Sequence, residues 1–212
     1  MLSMVYERAR KARSLDEVIV ATDDDRIMKA CEDMGIPVRM TSPGHSSGTE
    51  RVAEVARGLD SPLIVNIQGD EPVLEPAMID DLVGALQDDR VVMASIMKKV
   101  HDSDAFLDCH RVKVVVDKDG NALYFSRAPI PYRSSDGFFH HIGIYGFRKE
   151  FLFRFCALPP SELEKAEGLE QLRALENGFR IRMVETEFST LSVDTPQDII
   201  EVERFLKEKG HD

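Results

Sequence analysis

Short apolar segments alternate with helix-like segments along most of this chain, and this alternation limits its fold more than any other feature. Strand-like runs such as Glu17–Ala21, Pro62–Ile67 and Val91–Met97 are separated by stretches in which apolar residues recur with helical spacing. Strands that follow one another through helices usually form a largely parallel sheet with helices on both faces. We therefore predict an α/β fold with a mostly parallel sheet, organised as one domain over residues 1–212.

The middle of the chain has a different pattern. Val112–Val116 and Ala122–Phe125 are separated by Asp-Lys-Asp-Gly-Asn, whose residues tolerate the backbone angles of a tight turn, so the two segments are predicted to form a β-hairpin. His141–Phe147 is predicted to be a further strand, and we place a hairpin-containing insertion at about residues 108–147. The segment Ser161–Glu176 is predicted to be helical.

Composition and charge exclude several classes of protein. Hydrophobic residues make up 43% and charged residues 31%, a balance typical of a folded globular chain rather than a disordered one. The apolar runs are far shorter than the roughly 20 residues that span a bilayer, and the first residues lack a secretory leader. The formal net charge of −11 has the wrong sign for general binding to nucleic acids or anionic membranes. We expect a cytoplasmic protein that needs a local basic cluster or a divalent cation to hold anionic substrates.

The three cysteines do not suggest a disulfide framework or a zinc site. Cys31, Cys109 and Cys156 are widely spaced and form no CxxC pair. Cys31 shares an apolar helical stripe with Ile27, Ala30 and Met34, so we predict that it is a core residue rather than a reactive thiol.

Two acidic residues stand where strand-like segments end. Asp70 lies in Asn-Ile-Gln-Gly-Asp-Glu-Pro, directly after a predicted buried strand, and ligands of open α/β sheets gather at such strand ends. Asp194 lies in Ser-Val-Asp-Thr-Pro, before a predicted helix over Pro196–Glu208. Together they could hold Mg²⁺ beside a phosphate and an attacking hydroxyl. The alternative interpretations are a turn residue for Asp70 and a helix N-cap, from Asp194 or Thr195, for the second segment.

Other polar residues suit a nucleotide loop. The segment His-Ser-Ser-Gly-Thr-Glu-Arg, which begins at His45, opens a predicted helix, where hydroxyls and free backbone N–H groups can bind the edge of a base or an anionic oxygen. The alternative is that Ser47 or Thr49 simply caps the helix.

A last group suits a polyhydroxylated acid. Arg127 offers a planar fork for a carboxylate, and His141 and Tyr145 are four residues apart in a strand, so both project to the same face. Glu170 and Gln171, in the predicted helix, could bind sugar hydroxyls. The structural alternatives are a core histidine, a packed aromatic ring and a solvated helix charge.

In this order, the motifs resemble those of the Kdo cytidylyltransferases (CMP-Kdo synthetases), where Kdo is an eight-carbon sugar acid. The matching stretches are VYERARKA, VIVATDD, HSSGTERVAEV, VNIQGDEP, ALYFSRAPIPY, HIGIYGFR, LEQLRALENG and VDTPQD, and they span nearly the whole chain. The resemblance implies an α/β nucleotidyltransferase fold in a cytoplasmic homodimer, with the hairpin insertion in the dimer and sugar-binding region. It also implies transfer of CMP from CTP to Kdo, with release of pyrophosphate, for lipopolysaccharide synthesis.

The resemblance also assigns roles by position. It implies that Asp70 and Asp194 are the catalytic magnesium ligands. The residues that it places around the cytidine are His45, Ser47, Gly48 and Thr49. The residues that it places around Kdo are Gln68, Arg127, His141, Tyr145, Glu170 and Gln171.

The chain departs from the family pattern at its start. Members of the family begin with a strand and a basic loop of the type PARxxSxRxPxKP, whereas Met1–Ala12 already has a helical pattern. Without that loop we expect weak CTP binding, reduced activity and exposed apolar sheet edges in the 212-residue form. Two alternative functions follow: a cytidylyltransferase for another sugar acid, such as a sialic acid, or an inactive binding or dimerisation module.

Overall fold

The structure is a computed structural model that describes the whole chain except Ser135, Ser192, Asp194, Thr195 and residues 209–212. In chain order, its elements are α1 (Leu2–Ala9), β1 (Val20–Thr22), α2 (Asp25–Asp33), β2 (Val38–Met40), α3 (Gly48–Ala56), β3 (Leu63–Asn66), α4 (Pro76–Ala85), β4 (Met93–Val100), α5 (Ser103–Leu107), β5 (Lys113–Val116), β6 (Ala122–Ser126), β7 (Phe138–Arg148), α6 (Lys149–Cys156), α7 (Glu162–Glu167), α8 (Leu172–Glu176), β8 (Arg182–Glu185) and α9 (Pro196–Glu208). No helix in the described part of the chain is long and apolar enough to cross a bilayer.

The chain divides into two compact units. The first unit contains Met1–Leu59, Asn66–Asp80 and Phe188–Asp212, and the second contains Asp60–Val65 and Asp81–Glu187. The α/β class predicted from the alternation of segments is confirmed. The organisation as one domain over residues 1–212 stays a prediction.

In the first unit, β1 and β2 form a parallel pair joined by α2. Cys31 on α2 is fully buried, so its prediction as a core residue is confirmed. The other apolar residues of that stripe are exposed, Ile27 by 39% and Met34 by 53%, and Ala30 is exposed as well. Cys31 is the one residue of α2 that is buried, and Met34 already lies at the C-cap, where the chain leaves the helix.

The second unit is built on a mixed sheet. The strand order is β6-β5-β7-β4-β8, and β3 also pairs with β7. Strand β4 is parallel to β8, whereas β7 is antiparallel to both β4 and β5. Strand β5 lies between β6 and β7 and is antiparallel to both, so β6 and β7 run in the same direction on either side of it. The predicted β5–β6 hairpin is confirmed.

A buried lysine secures the base of this hairpin. Lys113, the first residue of β5, has no exposed surface, and its Nζ donates hydrogen bonds to the carbonyl oxygens of Asp108, Arg111 and Arg127 at 2.7, 2.8 and 2.6 Å. Burial lowers the pKa of Lys113. Because three carbonyls solvate its ammonium group, Lys113 ties the segment before β5 to the residue that follows β6.

The prediction of one helix over Ser161–Glu176 is wrong. The segment forms α7 and α8, because Gly168 adopts a left-handed conformation (φ 63°) that ends α7. Glu170 and Gln171 therefore lie in the turn before α8, with Gln171 at its N-cap position, and not inside a helix.

Gly146 on β7 tests how tightly this unit is packed. A Cβ atom at Gly146 would lie 2.7 Å from Leu86 Cδ1 and 3.1 Å from Leu82 Cγ, and both leucines are buried. We expect Gly146→Ala to lower the free energy of unfolding by about 1–3 kcal/mol, because the leucines must move in a close-packed core.

Gly84→Ala provides the matched control for this measurement. Nothing lies within 4 Å of a Cβ added to Gly84, which is part of α4. Since alanine has the higher helix propensity, this change should leave the free energy of unfolding unchanged or raise it by up to about 1 kcal/mol. Urea denaturation followed by circular dichroism measures both variants, and equal destabilisation by the two would contradict the packing argument.

Candidate functional site

The first unit holds the predicted nucleotide loop in a defined conformation. Ser47 is the N-cap of α3, and its hydroxyl accepts a hydrogen bond from the backbone N–H of Glu50 at 3.2 Å. The Glu50 carboxylate in turn accepts one from the backbone N–H of Ser46 at 2.8 Å. The capping role offered as the alternative for Ser47 is therefore present, and it fixes the backbone that carries Gly48 and Thr49.

His45 is bonded to the helix that it precedes. Its Nε2 forms a hydrogen bond with the Glu54 carboxylate, and its Nδ1 lies 3.9 Å from the carboxylate of Glu50. The bond from His45, together with one from the backbone N–H of Ser42, lowers the pKa of Glu54. In this arrangement the imidazole orders the loop against the side of α3.

A chain of amide and hydroxyl groups joins this loop to the end of β3. Asn66 Nδ2 donates to Thr49 Oγ1 at 3.3 Å, and Gln68 Nε2 donates to Asn66 Oδ1 at 3.3 Å. Gly48 completes the contact, since a Cβ atom there would lie 3.2 Å from Gln68 Oε1. The structure thus brings Gly48, Thr49 and Gln68 into one polar patch. Asn66 is buried and links Thr49 to Gln68 in this patch. The sequence analysis assigned no role to Asn66, although its position at a strand end, two residues before Gln68, could have indicated one.

Asp70 lies just beyond this patch. It is half-buried after β3, and its backbone carbonyl accepts a hydrogen bond from the backbone N–H of Val193 at 2.9 Å. Asp194, the other predicted ligand, is outside the described residues. The residue before Asp194 is therefore bonded to the main chain of Asp70. A half-buried carboxylate at a strand end is a fitting oxygen ligand for a hard cation such as Mg²⁺.

Another possible metal-binding group lies elsewhere. Among the described residues, one set of three side chains has the composition and spacing for a metal ion: Asp108, Cys109 and His110, whose ligand atoms lie within 4.8 Å of one another. It belongs to the second unit, and its thiol and imidazole do not match the oxygen ligands that magnesium prefers. It contains none of the predicted site residues.

In the second unit, the guanidinium group of Arg127 donates hydrogen bonds to main-chain carbonyl oxygens. Its Nε donates to Glu167 O at 2.9 Å, its Nη1 to Cys109 O at 3.2 Å and its Nη2 to Gly168 O at 3.5 Å. The Glu167 carboxylate accepts the backbone N–H of Arg127 at 2.9 Å. Arg127 thus fixes the turn that leads to Glu170, and no carboxylate among the described residues is bonded to its guanidinium group.

His141 and Tyr145 lie on one face of β7, as their spacing predicts. Their ring centroids are 5.5 Å apart, and His141 also packs edge-on against Phe125 at 4.9 Å. His141 is 6% exposed, and burial lowers its pKa to about 3, so the ring is neutral at pH 7. Burial and the negative charge of Glu170 raise the pKa of Tyr145, which stays a protonated phenol.

In the described part of the chain, the buried side chain of Gln171 has an unpaired hydrogen-bond donor. Its side chain is buried, and its Nε2 atom has no hydrogen-bond partner among the described residues. Buried donors in folded proteins are almost always paired with protein, water or ligand atoms, so this one is available to an acceptor from outside the chain. The second unit therefore gathers Arg127, His141, Tyr145, Glu170 and Gln171 on β7 and around the turn before α8.

A cavity of about 390 Å³ in the second unit contains none of these residues. Its lining includes Asp88, Arg90, Asn121, Arg180 and Arg182. Two of its three arginines are already bonded, Arg90 to Asp88 and Arg182 to Asn121. We therefore interpret the cavity as part of a surface network of polar side chains.

Comparisons with known proteins agree on one family. The family model described as Cytidylyltransferase matches residues 1–183. The chain is 50% identical to the 3-deoxy-manno-octulosonate cytidylyltransferase of Solibacter usitatus, covering 98% of this chain and 84% of that protein. It is 47% identical to the enzyme of the same name from Geotalea daltonii, covering 99% and 89% of the two chains.

Solved structures show the same likeness. CMP:2-keto-3-deoxy-manno-octonic acid synthetase, solved in complex with CTP, superposes with a TM-score of 0.92 at 37% identity over 98% of this chain and 88% of that one. The 4-diphosphocytidyl-2C-methyl-D-erythritol synthase of Anaerococcus prevotii, at 19% identity, has a TM-score of 0.64 over 97% and 88% of the two chains and shares the fold alone. The chain belongs to the cytidylyltransferase family.

Proposed function

We propose that this protein transfers CMP from CTP to Kdo and releases pyrophosphate. The observation that carries the proposal is the likeness, over nearly the whole chain, to the synthetase solved with CTP, supported by the names of the curated relatives. The buried, unpaired amide of Gln171 adds a local argument, because a polyhydroxylated acid offers the acceptor oxygens that this donor lacks.

The proposed reaction needs no covalent enzyme intermediate. The anomeric hydroxyl of Kdo attacks the α-phosphorus of CTP, a new P–O bond forms, and the bond to the leaving pyrophosphate breaks. The protein contributes mainly positioning and charge neutralisation, which can account for most of the rate in phosphoryl-type transfers. Asp70 and Asp194 would hold Mg²⁺, which when bound neutralises phosphate charge and makes the attacking hydroxyl more acidic.

The other polar groups receive distinct tasks in this proposal. Gly48 and Thr49 offer backbone and hydroxyl groups to the nucleotide, with Ser47 and His45 ordering the loop. Gln68, in the same polar patch, offers its amide to Kdo. His141, Tyr145 and the turn of Glu170 and Gln171 offer neutral donors and acceptors, together with one carboxylate, to the hydroxyls of the acid. Arg127 supplies the positive charge that attracts the sugar carboxylate.

The setting of the reaction is part of the proposal. The family resemblance supports a cytoplasmic homodimer that uses the hairpin region in dimerisation and supplies activated Kdo for lipopolysaccharide.

The direct test is a pyrophosphate-release assay with CTP and Mg²⁺, using either Kdo or a sialic acid as acceptor. It should be run on the 212-residue chain and on the longest chain that the open reading frame encodes. We expect turnover with Kdo and little or none with the sialic acid. Turnover of the sialic acid alone would overturn the substrate assignment, and turnover of neither by either chain would support an inactive module.

Asp70→Asn tests the metal assignment. The change keeps the shape of the side chain but removes its charge, so we expect magnesium-dependent turnover to fall by at least about 100-fold while the melting temperature changes little. Asp25→Asn, an exposed change in the first turn of α2, is the matched control and should leave turnover unchanged. Activity of Asp70→Asn within a few-fold of the parent would contradict the proposed role.

Gln171→Met separates binding from folding. Methionine has a similar length but no donor to leave unpaired, so we expect the melting temperature to stay the same or rise. Loss of the hydrogen bond to the acid should raise the KM for Kdo by roughly tenfold and leave the KM for CTP unchanged. Gln87→Met, at an exposed glutamine after α4, is the control, and an unchanged KM for Kdo in Gln171→Met would remove this residue from the acid site.

A further inference from the structure

The pairing of β4 with β7 is interrupted beside the candidate acid site. Ser95 lies opposite Tyr145, but the next residue of β4, Ile96, lies opposite Ile142. Two residues of β7, Gly143 and Ile144, therefore have no partner residue on β4 and form a β-bulge. Such bulges bend a strand and redirect its side chains, and they leave backbone carbonyls that need other partners.

Ser95 provides that partner. Its side chain has no exposed surface, and its Oγ donates to the carbonyl oxygen of Ile144 at 2.9 Å, with the carbonyl oxygen of Ile142 also within reach at 3.3 Å. The same Oγ lies 2.8 Å from Nε2 of His141. One hydroxyl thus stabilises the bulge and contacts the imidazole.

The hydrogen count fixes the direction of the bond to His141. A hydroxyl has a single hydrogen, and carbonyl oxygens can only accept. The hydroxyl hydrogen of Ser95 is therefore donated to the carbonyl oxygens of the bulge. Its oxygen must then accept from His141, which places the imidazole hydrogen on Nε2. In a neutral ring Nδ1 then carries a lone pair and can only accept.

The surroundings of His141 keep the ring in this state. It packs against Phe125 and Tyr145, and no carboxylate in the described part of the chain is bonded to it. Burial, with a smaller effect of His140, lowers its pKa to about 3. The ring therefore remains an uncharged acceptor over the pH range in which the protein would work.

We propose that Ser95 is a positioning residue that makes His141 Nδ1 a hydrogen-bond acceptor for one hydroxyl of the acid substrate. This inference rests on the proposed function, because it takes the acid site to include His141. It complements the Gln171 amide, which can only donate through its Nε2 atom. The site then selects an acid that presents both a donating hydroxyl and an accepting oxygen, and buried polar groups of this kind reject analogues that leave them unpaired.

The first test is spectroscopic and needs no substrate. In the full chain labelled with ¹⁵N-histidine, long-range ¹H–¹⁵N correlation spectra at pH 7 distinguish the two imidazole tautomers. We expect His141 to be neutral with its hydrogen on Nε2, and this state should persist at pH 5. Ser95→Ala should shift the two nitrogen signals toward a mixture of tautomers, whereas Ser126→Ala, a matched loss of a buried hydroxyl that bonds Glu167 instead, should not. A hydrogen on Nδ1 in the unmodified protein would overturn the inference, even if Ser95→Ala does not fold.

The second test is kinetic. Ser95→Ala should raise the KM for Kdo by roughly tenfold and leave the KM for CTP unchanged, and Ser95→Thr, which keeps the hydroxyl, should recover most of the loss. Kdo analogues that each lack one hydroxyl identify the group involved: for one of them, the unmodified protein and Ser95→Ala should have similar KM values. An unchanged KM for Kdo in Ser95→Ala contradicts the positioning role.

The two tests distinguish failure of the inference from failure of the proposed function. The expected tautomer without turnover of Kdo would retain the role of Ser95 in orienting His141 but refute the assignment of the substrate. Turnover of Kdo with the opposite tautomer would retain the function and refute the inference.

Discussion

The second unit depends on the pairing of β7 with its neighbours. This 11-residue strand pairs with β3, β4 and β5, and α6 follows it directly. The pairing is possible because Gly146 has no side chain where Leu82 and Leu86 approach, and because Ser95 bonds the carbonyls of the bulge. The same strand carries His141 and Tyr145, so the constraints that close the sheet also determine where the candidate acid-binding side chains lie.

Most buried polar groups in the described part of this protein form hydrogen bonds inside the fold, so a buried group without such a bond, like the Gln171 amide nitrogen, is unusual. Lys113 is surrounded by three carbonyls, and Arg173 is bonded to Glu164 at 2.8 Å within the α7–α8 pair. Such pairing offsets the free-energy cost of removing charges from water. Against this background, the Nε2 of Gln171 differs, because it is buried and has no partner among the described residues. The same hydrogen-bond requirements therefore underlie the stability of the unit and the role in binding that we propose for Gln171.

The polar patch of the first unit depends on several weak hydrogen bonds between residues that are distant in the chain. Asn66 links Thr49 to Gln68, and the backbone bond from Val193 to Asp70 joins residues that are far apart in the chain. Each of these bonds is individually worth only about 1 kcal/mol. Their effect is to order the loops, which would preorganise the patch for the nucleotide in the function that we propose.

The sequence by itself determined the α/β class, the β5–β6 hairpin and the family, because these follow from local patterns and motifs. It did not determine that β7 runs antiparallel, that Gly168 divides the predicted helix, or that Ile27 and Met34 are exposed. Only the tertiary structure decided those features, and with them the contact between Ser95 Oγ and His141 Nε2. These depend on contacts between residues distant in the chain, where packing and the pairing of buried polar groups override local preference.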